Sequence, residues 1–168
     1  MGNELLNTIH EKLSSRFTDA VISAEQCYDF PVFEVKREKI HEILQFLRDD
    51  AEMNFGFLTT LCAMHYPDNK GKELGVMYQL HNMHKNWRMR LKIFFPVTEP
   101  VVQSVADLFP SANWQERQEY DFFGVIFKGH PNLKRILNMD EMDYFPMRKE
   151  YALEDGTRDD KQDEMFGR

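Results

Sequence analysis

One stretch constrains this chain more than any other. From Glu116 to Tyr151 it reads ERQEYDFFGVIFKGHPNLKRILNMDEMDYFPMRKEY. Acids, arginines, glycines, a histidine and prolines are set among apolar residues, and neither the helical nor the strand period persists for long. Such a segment cannot bury its apolar side chains without drawing charge in with them. Its charged groups therefore need fixed partners, within the chain or on another one.

The residues before it are more regular. Leu6, Ile9, Leu13 and Phe17 recur at three-to-four spacing and predict an amphipathic helix over residues 3–17. From Ala20 to Lys36 the texture turns to Val, Ile, Tyr and Phe, interrupted by Asp29 and Pro31, which predicts two strands and a short turn. Helical spacing returns over residues 38–53, with Ile40, Ile43, Leu44, Leu47 and Ala51 as the apolar stripe. Phe55 to Tyr66, the turn PDNKGKE, Leu74 to His81 and Arg88 to Val97 then read as a three-stranded meander.

Pro100 to Phe109 carries Val101, Val102, Val105 and Leu108 at helical spacing, with Pro100 suited to a first turn. A second helix is expected from Asn113 to about Phe122, with Gly124 as its stop. Val125 to Phe127 is a short apolar strand before Gly129-His130-Pro131. Helices and strands grouped in this order predict a two-layer α+β domain rather than a regularly alternating α/β fold. The expected division is a globular domain over 1–137 and an extended, partner-binding tail over 138–168, where six acids fall between Glu154 and Glu164. Fully extended, that tail could reach about 100 Å.

Charge and composition exclude several functions. A net charge of -7 opposes generic binding to DNA, RNA or anionic lipid, and no basic stripe points to a nucleic-acid module. Cys27 and Cys62 lack zinc-ligand spacing and are expected as reduced thiols in small core positions. The opening MGNELLNTIHEKL has no basic start followed by an apolar run, and Leu6 stands where an acylation start needs Ser or Thr. No stretch approaches the roughly 18 apolar residues of a membrane span, so membrane contact is expected only through a partner.

Candidate sites are few. His81 and His84 sit three apart, which in a strand places them on opposite faces and opposes a shared metal ion. His10, His41 and His65 are isolated and receive no role. Glu116, Glu119 and Asp121 could serve acid-base work, but interleaving with Arg117, Arg135, Arg148 and Lys149 favours ion pairing. On a helix Arg117 and Asp121 share a face, so a direct pair is available. His130, between Gly129 and Pro131, is suited to anchoring a turn. No nucleotide, flavin, metal or cluster motif occurs. A free-standing hydrolase using Asp121 and His130 is the alternative from another class.

The order E-R-x-x-x-D-x-x-G-V-x-F-x-G-H-P-x-L-x-R-I-L, then P-M-R-K-E-Y, resembles the signature of one family. It is the thirty-kilodalton subunit family of the respiratory NADH-quinone oxidoreductase (complex I). Glu116, Arg117, Asp121, Gly124, Phe127, Gly129, His130, Pro131, Leu133, Arg135, Ile136 and Leu137 carry the first block. Pro146, Arg148, Lys149 and Tyr151 carry the second. Gln118 departs from the family's second Glu, and Phe145 from a common His or Tyr. The resemblance implies a mixed sheet in the globular part and a non-catalytic scaffold subunit of the peripheral arm. It implies two partners in complex I, the quinone-site subunit and the iron-sulfur subunit, on the cytoplasmic face of the bacterial inner membrane. Iron-sulfur clusters, FMN and quinone are expected in partner subunits and none in this chain. The same resemblance extends to related membrane-bound hydrogenases and quinone reductases fed by other donors.

Overall fold

The computed structural model describes residues 2–151. Its helices are α1 (Gly2–Arg16), α2 (Ile40–Asp49) and α3 (Ala112–Phe123). Its strands are β1 (Val21–Cys27), β2 (Phe30–Val35), β3 (Phe57–His65), β4 (Leu74–Asn82), β5 (Trp87–Phe95), β6 (Val101–Gln103) and β7 (Ile126–Lys128). The first five make one sheet in the order β1-β2-β5-β4-β3. The sheet is mixed: β2 runs parallel to β5, with Phe33 opposite Leu91, while the other pairings are antiparallel. A parallel pair needs a long crossover, and α2 lies within it. The α+β class and the meander β3-β4-β5 are as the sequence predicts.

Alternation within the strands sets the two layers. Val76, Tyr78 and Leu80 of β4, and Met89, Leu91 and Ile93 of β5, are fully buried on one face. Ile9 and Leu13 of α1 and Ile40, Ile43, Leu44 and Leu47 of α2 join them in a single core. Each such side chain contributes about 1.5–3 kcal/mol on burial. Cys27 and Cys62 are free and only half-buried, on strands at opposite edges of the sheet.

Two elements differ from expectation. The helix predicted over 38–53 opens with a 3-10 turn (Arg37–Lys39) and ends at Asp49. Asp50 is extended (φ -64, ψ 125), and its Oδ1 accepts the N–H groups of Glu52 at 3.0 Å and Met53 at 2.9 Å. That side-chain turn outcompetes another helical turn, so Ala51 is exposed and not part of the stripe. The helix predicted over Pro100–Phe109 is replaced by β6, paired in parallel with β7 through Val101 and Ile126, followed by turns. β-branched Val101 and Val102 suit that strand, and Val102 and Val105 reach the core without a helix.

The edge of the sheet at β3 is covered by α3. Leu61 N–H donates to Gln115 Oε1, and Ala63 N–H donates to Glu119 Oε2 at 2.7 Å. Side chains four apart on a helix rise about 6 Å, and outward amides two apart on a strand are separated by about 6.8 Å. The helix therefore supplies acceptors in register with an edge that would otherwise stay open.

Asp50 also meets Lys12 of α1 at 2.9 Å, so one carboxylate ties α1 to the end of α2. Asp50→Ala is expected to lower unfolding free energy by about 1–2 kcal/mol, read by urea denaturation with an unchanged m-value. No change in midpoint would show that water replaces the turn at no cost.

Candidate functional site

α3 carries its acids on the inside. Glu116, Glu119 and Asp121 are buried together with Ala112. Glu116 accepts from the Ser104 hydroxyl at 2.6 Å and from Val105 N–H at 2.7 Å. Glu119 accepts from Ala63 N–H and, at 3.3 Å, from the Gln118 amide. Asp121 accepts from the consecutive N–H groups of Ile136, Leu137 and Asn138 at 3.1, 2.8 and 3.0 Å, and from the Asn138 amide. Each acid thus serves backbone amides that no strand pairs: those of the turn after β6, the outer edge of β3, and the segment after β7.

Electrostatically the three acids divide. Burial pushes Glu116 and Glu119 up to about 7, against the pull of their hydrogen bonds. Burial acts on Asp121 in the same direction, but the Asn138, Leu137 and Arg135 donors together outweigh it and hold its carboxyl well below the usual range.

Arg135 is the counter-ion. Its Nη1 lies 2.8 Å from Asp121 Oδ1 and donates to the Asp121 carbonyl at 2.9 Å. Its Nη2 donates to the carbonyls of Met142 at 2.7 Å and Tyr144 at 3.0 Å. The guanidinium groups of Arg135 and Arg148 lie 5.2 and 4.7 Å from the centroid of the Phe145 ring. Arg148 Nε donates to the Phe123 carbonyl at 2.7 Å, and Met147 N–H to the Phe122 carbonyl at 3.2 Å. The last carbonyls of α3, unsatisfied within the helix, are thereby met. Gly124 caps the helix in the left-handed region (φ 74), and a Cβ there would fall 2.5 Å from the Phe145 ring. The expected glycine stop is also the seat of an aromatic ring, at the position where the sequence departs from a His or Tyr.

Residues 138–151 contain no helix or strand and lie along the end of α3, pinned by the Arg135 side chain and by their own Arg148 on the Phe123 carbonyl. The acids of the expected tail between Glu154 and Glu164 lie outside the described residues. His65, given no role from sequence, is 7% exposed, and its Nδ1 accepts the Lys149 N–H at 2.9 Å. Pro146 is half-buried and the Lys149 side chain exposed. While the backbone is held, the segment turns Leu137, Met139, Tyr144, Met147 and Tyr151 outward, with Met139 70% exposed. Asp140, Glu141, Asp143 and Glu150 are exposed among them.

The Arg117–Asp121 pair available on a helix does not form. Asp121 is taken by Arg135, and Arg117 instead donates to the carbonyls of Lys134 at 3.1 Å and Arg135 at 3.3 Å while lying over Trp114. Arg117 thus holds the backbone of the residue that neutralises its own neighbour. His130 anchors its turn: Nε2 faces the Asn113 carbonyl at 3.0 Å and Nδ1 accepts from Asn132 N–H at 3.0 Å. Gly129 takes φ 87 beside it, and Pro131 is exposed. Asp121 and His130 spend their polar atoms on separate backbone groups, an arrangement suited to holding chain and not to sharing a proton. His81 lies in β4 and bonds Asn86 at 3.1 Å, while His84 lies in the following turn. Among the described residues no group of metal-ligating side chains is assembled.

Asp121→Asn removes the charge that Arg135 and three amides face. An expected loss of about 3 kcal/mol follows from leaving a buried guanidinium unpaired. Limited trypsin digestion should then cut after Arg135 and Arg148 well before the rest of the chain, and equal resistance in both proteins would contradict the clamp. A depressed carboxyl stabilises the fold above its ordinary value of 3.8 and loses that contribution as pH falls further. Gly124→Ala, which drives a Cβ into the Phe145 ring, should show the same early cleavage at neutral pH.

Comparison with known proteins gives a consistent picture. Residues 33–157 match the family described as the 30 Kd subunit of respiratory-chain NADH dehydrogenase. The chain is 41% identical over 138 residues to the corresponding NADH-quinone oxidoreductase subunit of Acidothermus cellulolyticus, covering 82% of this chain and 72% of that one. It is 41% identical over 121 residues to the same subunit of a Nocardioides species, covering 72% of this chain and 48% of that one. It therefore spans from about half to about seven-tenths of the length of these relatives. Its fold is similar to a trypsin-resistant fragment of Nqo5, with a TM-score of 0.64 and 26% identity, covering 76% of this chain and 98% of that one. It is also similar in fold to a chain of the membrane-bound sulfane sulfur reductase, an archaeal respiratory membrane complex, with a TM-score of 0.73 and 23% identity, covering 88% and 85%.

Proposed function

Because the chain belongs to the 30 Kd subunit family of the respiratory-chain NADH dehydrogenase, we propose that it acts as a non-catalytic scaffold subunit in the peripheral arm of a proton-translocating NADH-quinone oxidoreductase. One observation carries this reading. The segment 136–151 satisfies backbone groups on Asp121, Arg135, His65 and the Phe122 carbonyl, returns the Arg148 side chain to the Phe123 carbonyl, and presents large apolar side chains to the outside. Rigid backbone with outward Leu, Met and Tyr suits a permanent interface, where ordering costs little at association and aromatic and Met side chains are enriched.

The partners in this reading are the quinone-site subunit and the iron-sulfur subunit of the complex. A permanent subunit buries upwards of about 2,000 Å² against its neighbours, and the ridge from Leu137 to Tyr151 supplies part of that surface. Redox chemistry then belongs to iron-sulfur clusters, FMN and quinone in partner subunits. Membrane association comes through the complex on the cytoplasmic face, in keeping with the fact that no described helix is long and apolar enough to cross a membrane. The likeness to a chain of the sulfane sulfur reductase supports a second reading, the equivalent subunit of a sister complex with another electron donor.

Leu137 and Met139 are exposed and give the direct test. Leu137→Asp with Met139→Asp should leave the melting temperature of the free chain within about 2 °C, as exposed substitutions do. It should also abolish recovery of the partner subunits when the tagged chain is purified from its native membranes in mild detergent. Undiminished recovery would remove the ridge from the interface. Wild-type recovery with an NADH-oxidising module selects the first reading, and recovery with a different electron-donor module selects the second.

A further inference from the structure

Among the described residues, two of the three buried acids of α3 form no ion pair, whereas Asp121 pairs with Arg135. Glu116 is 0% and Glu119 2% exposed. The charged groups that act on Glu116 are Asp107 and His41, which pair with each other at 2.9 Å. Among the described residues Glu119 forms no ion pair, and its hydrogen-bond donors are the Ala63 amide and the Gln118 side chain. The other titratable groups on the packed elements are spent elsewhere. Cys62 of β3 is a half-buried thiol pushed up by burial and by Glu119, and Tyr78 of β4 is buried with no partner for its hydroxyl. His65 holds Lys149, Lys128 of β7 and Lys134 are exposed, Arg117 and Arg135 face residues 134–144, and Arg90 is bonded to Gln79.

We propose that α3 is a proton-linked clasp on the open edge of the sheet. With Glu119 protonated, α3 closes over β3; with Glu119 ionised, the middle of the helix lifts to admit water, while Asp121 and Arg135 hold its C-terminal end in both states. Glu116 acts in the same sense on the turn after β6. A neutral carboxyl still accepts the Ala63 N–H through its carbonyl oxygen and carries no ionic desolvation cost. A carboxylate with two neutral amide donors, one of them long at 3.3 Å, and no cation is a buried charge left largely uncompensated, and hydration of the site relieves it.

The direction follows from linkage. A carboxyl raised in the folded state contributes stability that is fully present below its ordinary value of 4.5 and is lost as pH rises through about 7. Closure of the β3 edge is therefore strongest in mild acid and weakens across neutrality. Asp121 does not titrate there, so the segment 136–151 stays in place. The clasp depends only on the chain itself and stands whether or not the chain is a subunit of the complex proposed above.

Hydrogen exchange on the full chain between pH 5.5 and 8.5 tests this, with rates corrected for intrinsic base catalysis. In wild type, protection of the Leu61 and Ala63 amides should fall about tenfold across neutrality, and that of Leu137 and Asn138 should not change. In Glu119→Gln the Ala63 protection should stay flat over the same range. Wild-type protection that is independent of pH, or a Gln variant that follows the wild-type decline, would overturn the proposal. Should the variant fail to fold, carbon-13 titration of the wild-type Glu119 carboxyl decides instead. A midpoint near neutrality supports the clasp, and full ionisation at pH 5.5 overturns it.

Discussion

The structure depends on the Asp121 carboxylate. It gathers three consecutive backbone amides, a side-chain amide and a guanidinium at distances between 2.8 and 3.1 Å, on a residue with 0% exposure. An isolated buried carboxylate would be prohibitive, and a bare buried ion pair often stabilises no better than apolar side chains. Here the remaining lone pairs are also filled, which is the condition under which such a pair becomes favourable. The start of the described segment 136–151 is fixed by it. Arg135, fixed by Asp121, holds the carbonyls of Met142 and Tyr144, and it meets Arg148 over Phe145 on the glycine cap of α3.

The same helix explains how a segment crowded with charge can belong to a folded domain. α3 buries acids where most surface helices bury aliphatic side chains, because it packs against backbone in need of acceptors. Its glutamates serve a strand edge and a turn, and its aspartate serves a segment with no regular structure. The outward products of this arrangement are the apolar residues from Leu137 to Tyr151, held on a backbone already satisfied. Membership of a respiratory-complex subunit family and the exposure of this ridge support one reading, in which the fold's contribution is a preformed surface.

The sheet was legible in the sequence because its strands alternate and its turns are marked by Asp29 and the PDNKGKE run. α3 and its glycine stop were legible for similar local reasons. Pro100 to Phe109 misled because Val102, Val105 and Leu108 satisfy a helical period, whereas the pairing of β6 with β7 is set by residues some twenty-five positions away. Ala51 misled because its apolar character says nothing of the Asp50 carboxylate competing for the backbone. The i,i+4 rule favoured Arg117 as partner of Asp121, but the pair with Arg135 brings with it three amides that Arg117 could not deliver. His65 carried no signal at all: its role exists only because β3 ends where Lys149 passes. Local chemistry was readable, and long-range acceptors were not.

A double-mutant cycle between Asp121 and Arg135 tests the central claim most directly. The unfolding free energies of wild type, Asp121→Ala, Arg135→Ala and the double variant would be measured in urea at pH 7. If the pair organises the segment, each single change costs nearly as much as both together, and the coupling reaches about 2–3 kcal/mol. Additive losses, with coupling below about 0.5 kcal/mol, would contradict the clamp and leave the segment's order to some other contact.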